Sequence, residues 1–191
     1  MSNTCFMQGV EYSHWLFSQH IEKGAVVVDA TVGNGHDTVF LSELVSEKGK
    51  VLGFDIQQEA IINTKERLED MNISNVKLIH DGHENLKKYL NENITISGML
   101  FNLGFLPGSD KEVITRPETT NEALDSGLDN LKPGGIIILV VYVGHDGGER
   151  EKRRLLDYTS ELDDESYNVF HHHFINQKRK PPEVIAIKKR K

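Results

Sequence analysis

The chain has one cysteine, Cys5, in 191 residues. That excludes an internal disulfide framework and makes a reducing, cytoplasmic compartment the expected location. No motif surrounds Cys5, so an inert near-terminal thiol is expected rather than a nucleophile. Long apolar runs are missing too. The longest, residues 136–143, is too short to span a bilayer. The start lacks a basic stretch followed by an apolar one, so neither a signal peptide nor a membrane partner is expected. No repeat, low-complexity segment or interdomain linker is visible. Positive charge is short overall: the net is −7, which taken alone argues against a nucleic-acid partner.

The charge is unevenly spread. Residues 171–191 hold seven basic side chains (Lys178, Arg179, Lys180, Lys188, Lys189, Arg190 and Lys191) against one acid, Glu183. Arg150, Lys152, Arg153 and Arg154 form a second basic group. Two readings stand side by side: solvated loop and tail charge, or a phosphate-binding edge on an acidic protein.

Periodicity gives an alternating chain. A helix is expected over 12–22, with Tyr12, Trp15 and Leu16 on one face and Lys23-Gly24 as its stop. Strands are expected over 25–30, 51–55, 76–81, 96–102 and 136–143. Helices are expected over 38–45 (inner face Phe40, Leu41, Leu44 and Val45), 58–72, 84–90, 120–131 and 150–162. The fifth of these six helices would start from Pro117 with a threonine cap and end at Lys132-Pro133-Gly134-Gly135. Two last strands, 167–175 and 184–189, have only a loop between them and pair antiparallel. Strand–helix alternation means a parallel sheet covered on both faces. The terminal hairpin brings the sheet to seven strands. The length fits one domain, with an N-terminal helical segment over 1–24, a cofactor-binding core over 25–143 and a C-terminal helix and hairpin over 144–191.

One stretch organises the rest. Val26-Val27-Val28 leads into Asp29, then Thr31, Gly33, Asn34, Gly35, Asp37 and Thr38. This is a strand delivering a tight glycine turn into a helix N-terminus, where free N–H groups and a partial positive charge await a ligand. Such sheets bind ligands at the carboxyl ends of their strands, and three successive strands here end in acids: Asp29, Asp55 and Asp81. Asp55 can accept both hydroxyls of a ribose, a spacing that also fits NAD. A dinucleotide turn wants a third glycine where this chain has Thr38, and Asp29 ahead of the first glycine repels a pyrophosphate. A sulfonium or ammonium cation is attracted instead. Asp81 with Gly82 and His83 suits an adenine edge. Asn102, at the end of the fourth strand, can accept hydrogens from an amine and hold its lone pair toward an electrophile. Phe105 can stack on a flat ring.

These elements resemble class I S-adenosylmethionine-dependent methyltransferases, whose fold is Rossmann-like. The motifs are Asp-Ala-Thr-x-Gly-x-Gly-x-Asp-Thr from Asp29 to Thr38, the acid ending strand two, Asp81-Gly82, and Asn102-x-x-Phe105. The likeness covers essentially the whole chain. The segments 102–111, Thr115-x-Pro117-Glu118-Thr119-Thr120, and Phe174-Ile175-Asn176-Gln177 before Pro181-Pro182 narrow it. They are similar to a small family long described as rRNA methylases and now associated with tRNA 5-aminomethyl-2-thiouridine methyltransferase, the MnmM (YtqB) type of Gram-positive bacteria. Phe105 departs from that pattern, which would have tyrosine there, and Lys178-Arg179-Lys180 is more basic than the pattern.

The resemblance implies S-adenosylmethionine as cofactor and a tRNA anticodon region as substrate. Asp29, Asn34, Gly35, Asp37 and Thr38 would surround the methionine end, with Thr31 and Gly33 in the same turn. Asp55 and Gln57 would hold the ribose, and Asp81, Gly82 and His83 the adenine. Asn102 would lie between the methyl group and the acceptor. The acceptor amine must be unprotonated, whereas a free alkylamine titrates at roughly 10, so the site must lower that pKa or take the proton. His14, His83 and His145 are the available imidazoles. Arg116, Lys178, Arg179 and Lys180 are candidates for RNA phosphates. His171 and His173 share a strand face, but with no third ligand nearby in sequence no metal is expected. An rRNA or small-molecule acceptor remains an alternative within the class, and an NAD-dependent oxidoreductase outside it. A homodimer is compatible with the sequence, which does not set the oligomeric state.

Overall fold

The computed structural model describes residues 6–90, 94–104, 117–144 and 147–190. Its elements in chain order are α1 (Gly9–Ser18), β1 (Val26–Asp29), α2 (His36–Val45), β2 (Lys50–Asp55), α3 (Gln58–Asp70), β3 (Val76–His80), a 3-10 turn (His83–Lys88), β4 (Ile96–Leu103), α4 (Pro117–Asn130), β5 (Leu131–Val141), α5 (Gly148–Ser160), β6 (Tyr167–His172) and β7 (Glu183–Lys189). The seven strands lie in the order β3-β2-β1-β4-β5-β7-β6. β1 to β5 are parallel. β7 runs antiparallel between β5 and β6. The chain leaves β1 toward one edge and returns at β4 toward the other, so the loops after β1 and β4 part and open a crevice.

The near-continuous Val/Ile/Leu runs of β1, β4, β5 and β7 are explained by burial on both faces. Side chains alternate across the sheet. Val28, Met99, Phe101, Ile137, Leu139 and Ile185 enter one core, which also holds Leu86, Leu124 and Leu155. Val27, Leu100, Ile138, Val140 and Val184 enter the other, with Phe17, Leu41 and Val45. The inner face expected for α2 is largely met: Leu41 and Val45 are fully buried, and Phe40 and Leu44 pack beside them. Among the described residues, no helix is long and apolar enough to cross a membrane.

Four expectations need correction. α1 runs over Gly9–Ser18 and buries Gly9, Ser13 and Phe17. Tyr12 and Leu16 only flank that face, and Trp15 is 44% exposed. The cause is close approach. A Cβ on Gly9 would lie 2.7 Å from the Pro182 carbonyl oxygen, and one on Gly98 would lie 2.6 Å from Phe17 Cζ. Two small residues, Gly9 and Ser13, mark the contact face together with Phe17. α4 begins at Pro117 itself, so Thr119 and Thr120 both lie within the helix and neither caps it. β5 starts at Leu131, which pairs with Ile96, and the 132–135 segment is accommodated by a register shift before Ile136 meets Gly98. β6 ends at His172 rather than at residue 175.

Candidate active site

The glycine turn sits where β1 meets α2. Gly33 and Gly35 both have positive φ, 52° and 78°, which L side chains rarely adopt. Gly35 is the N-cap of α2. It also answers to α3: a Cβ there would lie 2.7 Å from Thr64 Oγ1, and that hydroxyl donates to the Gly33 carbonyl at 3.0 Å. Glycine at 35 therefore serves the packing of α3 as well as the turn. Gly33 N–H donates to Asp55 Oδ2 at 2.9 Å, so the end of β2 fixes the turn from the other side.

Asp29 ends β1 fully buried. The Thr38 hydroxyl donates to its Oδ2 at 2.6 Å and the Thr31 N–H to its Oδ1 at 3.1 Å. Burial, with repulsion from Asp37 and Asp55, outweighs those two bonds and pushes its pKa from 3.8 up to about 7. Asp37, in the first turn of α2, behaves oppositely. Burial disfavours its charge, yet hydrogen bonds from His14 and Asn102 hold its pKa below the ordinary value. His14 Nε2 lies 2.7 Å from Asp37 Oδ1. The His14 ring, projecting from α1, stacks on Phe40 at 3.9 Å.

Asn102 completes the group. Its N–H donates to Thr31 Oγ1 at 2.8 Å, and its side-chain Nδ2 donates to Asp37 Oδ2 at 2.9 Å. The amide is thereby oriented, and its Oδ1 is left buried without a hydrogen-bond partner. A buried acceptor without a donor costs roughly 1–3 kcal/mol, a cost that a ligand N–H removes. Tyr142 joins the site from just beyond β5. Burial and the Asp37 charge raise its phenol pKa, and contact with the Asn102 amide works against them. Tyr142 was not among the residues singled out from sequence. Its one signal is position, since its N–H donates to the Leu103 carbonyl at 3.2 Å beside the end of β4.

The other acids lie along the same edge. Asp55 also accepts the Gln57 N–H at 2.9 Å, and Gln57 is the N-cap residue of α3. Asp81 is engaged locally: Oδ1 accepts from Gly82 N–H and Asn85 Nδ2, and Oδ2 from the Tyr89 hydroxyl, each at 2.8 Å. His83 is buried, with Nδ1 3.0 Å from the Ala30 carbonyl oxygen and Nε2 without a partner. Burial lowers its pKa, so the ring is held neutral. Asn34 is half-buried in the turn. Ile56, following Asp55, is 55% exposed at this edge and was also missed.

The basic residues divide. β7 runs back along β5, with Glu183 opposite Val141, so the 173–182 connection lies at the same sheet edge as Asn102. It carries Lys178, Arg179 and Lys180, all exposed. Lys180 pairs with Glu149 at 2.9 Å. The second basic group is partly spent inside the fold: Lys152 pairs with Glu149 and Glu183, and Arg154 with Glu118. Phe105, Arg116 and His145 lie outside the described residues, as do Cys5 and the 105–111 part of the loop after β4.

The family model described as "Putative rRNA methylase" matches residues 51–188. The chain belongs to this family. It is 40% identical over 153 residues to the chloroplastic tRNA (mnm(5)s(2)U34)-methyltransferase of Arabidopsis thaliana, covering 75% of this chain and 56% of that protein. The chain thus spans about half the length of that curated relative, and 27% of the ribosomal RNA small subunit methyltransferase H of Halothermothrix orenii, to which it is 34% identical over 85 residues. A crystal structure of a "putative rRNA-methylase" from Clostridium thermocellum superposes with a TM-score of 0.94 at 42% identity, covering 97% of this chain and all of that one. A putative methyltransferase from Streptococcus mutans, solved in complex with SAH, gives 0.88 at 41% identity, covering 96% of this chain and 99% of that one. The rRNA methylase family therefore shares the Rossmann-like methyltransferase architecture described above.

Proposed function

We propose that the protein is an S-adenosylmethionine-dependent methyltransferase that N-methylates the aminomethyl group of 5-aminomethyl-2-thiouridine at the tRNA wobble position. The observation that carries the reading is the Asn102 amide, with Nδ2 tied to Asp37 and Oδ1 buried and unpaired at the end of β4. The likeness to the plant enzyme supports the substrate.

The residues present fit the cofactor. Asp37 and Asp55 both raise the pKa of Asp29 by their charge, so a cation bound among these three carboxylates relieves their repulsion. Asp29, Thr31, Gly33, Asn34, Gly35, Asp37 and Thr38 would hold its amino-acid end, Asp55 and Gln57 its ribose, and Asp81, Gly82 and His83 its adenine. The cofactor would supply an electrophilic methyl group on a sulfonium.

Asn102 Oδ1 accepts an N–H of the substrate amine and turns the nitrogen lone pair toward the methyl group. The orientation is set beforehand by Asp37 and Thr31, so none is lost to reorganisation during reaction. Ionised Asp37 stabilises positive charge developing on the attacked nitrogen. Of the imidazoles among the described residues, His14 is connected to Asn102 through Asp37, whereas His83 is turned to the Ala30 carbonyl. His14 therefore holds and orients Asp37 in this reading, and the proton of the amine leaves to water. Phe105 and Arg116 keep their proposed roles of stacking and phosphate contact, and Lys178, Arg179 and Lys180 supply further phosphate contacts.

The test is methyl transfer to hypomodified tRNA, followed by nucleoside mass spectrometry, with wild type and Asn102→Ala side by side. Wild type should convert aminomethyl-2-thiouridine to its methylated form. If that tRNA accepts no methyl group while ribosomal RNA does, the substrate assignment fails and the rRNA reading, favoured by the partial match to methyltransferase H, replaces it.

A further inference from the structure

We propose that His171, His173 and Glu183 form a binding site for a transition metal of the Zn2+ class at the base of the 173–182 connection. The sequence shows no third ligand beside the histidine pair, but the hairpin supplies one. His171 lies opposite Ile185 and His172 opposite Val184, so Glu183 is the diagonal neighbour of His171 on the same face of the hairpin. His173 follows two residues on and returns to that face. His172 points to the other face, where its ring stacks on Tyr12 at 4.5 Å.

The donor atoms of the three residues all lie within 4.8 Å of one another. His171 Nε2 is 2.7 Å from Glu183 Oε2, and the His171 and His173 rings stack at 4.6 Å with 24° between their planes. Zn–N and Zn–O bonds of about 2.0–2.2 Å place tetrahedral ligands roughly 3.3–3.5 Å apart. The closest pair, at 2.7 Å, must open by about 0.6–0.8 Å, and the widest, within 4.8 Å, must close by no more than about 1.5 Å. Two imidazoles and one carboxylate suit Zn2+, Co2+ and Ni2+ better than Mg2+ or Ca2+. His173 is exposed, so the site opens to solvent and a fourth position is left for water.

The surroundings orient the carboxylate. Lys152 Nζ takes the other oxygen, Glu183 Oε1, at 3.1 Å, leaving Oε2 for the histidines. Lys152 also pairs with Glu149 at 2.9 Å, and Glu149 with Lys180 at 2.9 Å. The paired ammonium adds local positive charge, which Glu149 offsets. A His171–Glu183 bond alone would not call for His173 stacked beside it, whereas a metal uses both rings. Bound metal would clamp the end of β6 to the start of β7 and so fix the base of the segment carrying Lys178, Arg179 and Lys180.

The experiment uses the untagged full chain stripped by chelator, titrated with Co2+ by visible absorption and with Zn2+ by calorimetry. One equivalent should bind, with the d–d absorption of a tetrahedral site. His171→Ala, His173→Ala and Glu183→Gln should each weaken binding by about tenfold or more, since even outer-shell substitutions cost that much. His20→Ala, on α1's far side in sequence, should bind as wild type does. Zn2+ should raise the melting temperature of wild type and leave that of His173→Ala unmoved. Because His173 is exposed, that variant keeps its fold. The assignment is overturned if wild type binds no stoichiometric metal, or if His173→Ala binds as tightly as wild type.

Discussion

Replacing Asp29 with asparagine tests the electrostatics of the site directly. Asparagine keeps the shape: its oxygen accepts the Thr31 N–H, and its nitrogen can donate to Thr38 Oγ1 once that hydroxyl turns. What changes is titration. The native pKa is about 7 against an ordinary 3.8, so between those values the native state holds a proton that the unfolded chain has released. Stability from this group is fully present below the unfolded pKa and is lost as pH rises to about 7, at roughly 1.4 kcal/mol per pH unit. Integration gives a loss of roughly 2 kcal/mol by about pH 5 and roughly 4 kcal/mol by about pH 8, so wild type should lose roughly 2–3 kcal/mol between the two relative to Asp29→Asn. Urea unfolding of both proteins at the two pH values measures this double difference. His83 works in the opposite sense. Its burial-lowered pKa makes stability rise with pH through its own range, but it is common to both proteins and cancels. If the wild-type-minus-variant difference is flat from about pH 5 to about pH 8, Asp29 is ionised throughout, and burial beside Asp37 and Asp55 does not raise its pKa.

The same site yields further expectations. Asn102→Ala should lower kcat by about a hundredfold, as expected for loss of a preorganised contact to the reacting group, while the Kd for S-adenosylhomocysteine measured by calorimetry moves little. Asp29→Asn should weaken S-adenosylmethionine by about tenfold more than neutral S-adenosylhomocysteine, since a lost charge contact of about 1.4 kcal/mol is tenfold; equal losses would remove the cation argument. Gly35→Ala forces a side chain into φ +78° and against Thr64 at 2.7 Å, and should cost about 1–3 kcal/mol in denaturant unfolding. Phe17→Ala should cost about 3–5 kcal/mol by the same assay, whereas Trp15→Ala on the exposed flank should stay within about 1 kcal/mol.

The strands were legible because burial on both faces leaves little choice of side chain: Val26-Val27-Val28 and the 136–143 run have no other economical place in a chain of this charge. The acids ending β1 and β2 were legible for the same reason, since each ends an apolar run, whereas Asp81 lies one residue past β3. α1 was misread because its contact face combines Gly9 and Ser13, which periodicity ignores, with Phe17, while Tyr12 flanks that face and Trp15 points out. Asn102 was legible as an amide at a strand end. Its bond to Asp37 joins residues 65 positions apart, and the His14–Asp37 bond spans 23, so neither has a local pattern to betray it. Glu183 was hidden in the same way: only the hairpin register brings it to His171.

α1 is also what joins the parts of the site. Gly9, at its first turn, lies against Pro182, the last residue of the basic connection before β7. His14, in its middle, holds Asp37, which holds Asn102. Phe17, near its end, is seated over Gly98 of β4. A helix of ten residues moves as one piece, because its internal hydrogen bonds do not bend without kinking residues, and proline is absent from it. α1 thus touches the 173–182 connection at its first turn, the Asp37 carboxylate in its middle and β4 near its end, and the small residues Gly9 and Ser13 let it sit this close to the sheet.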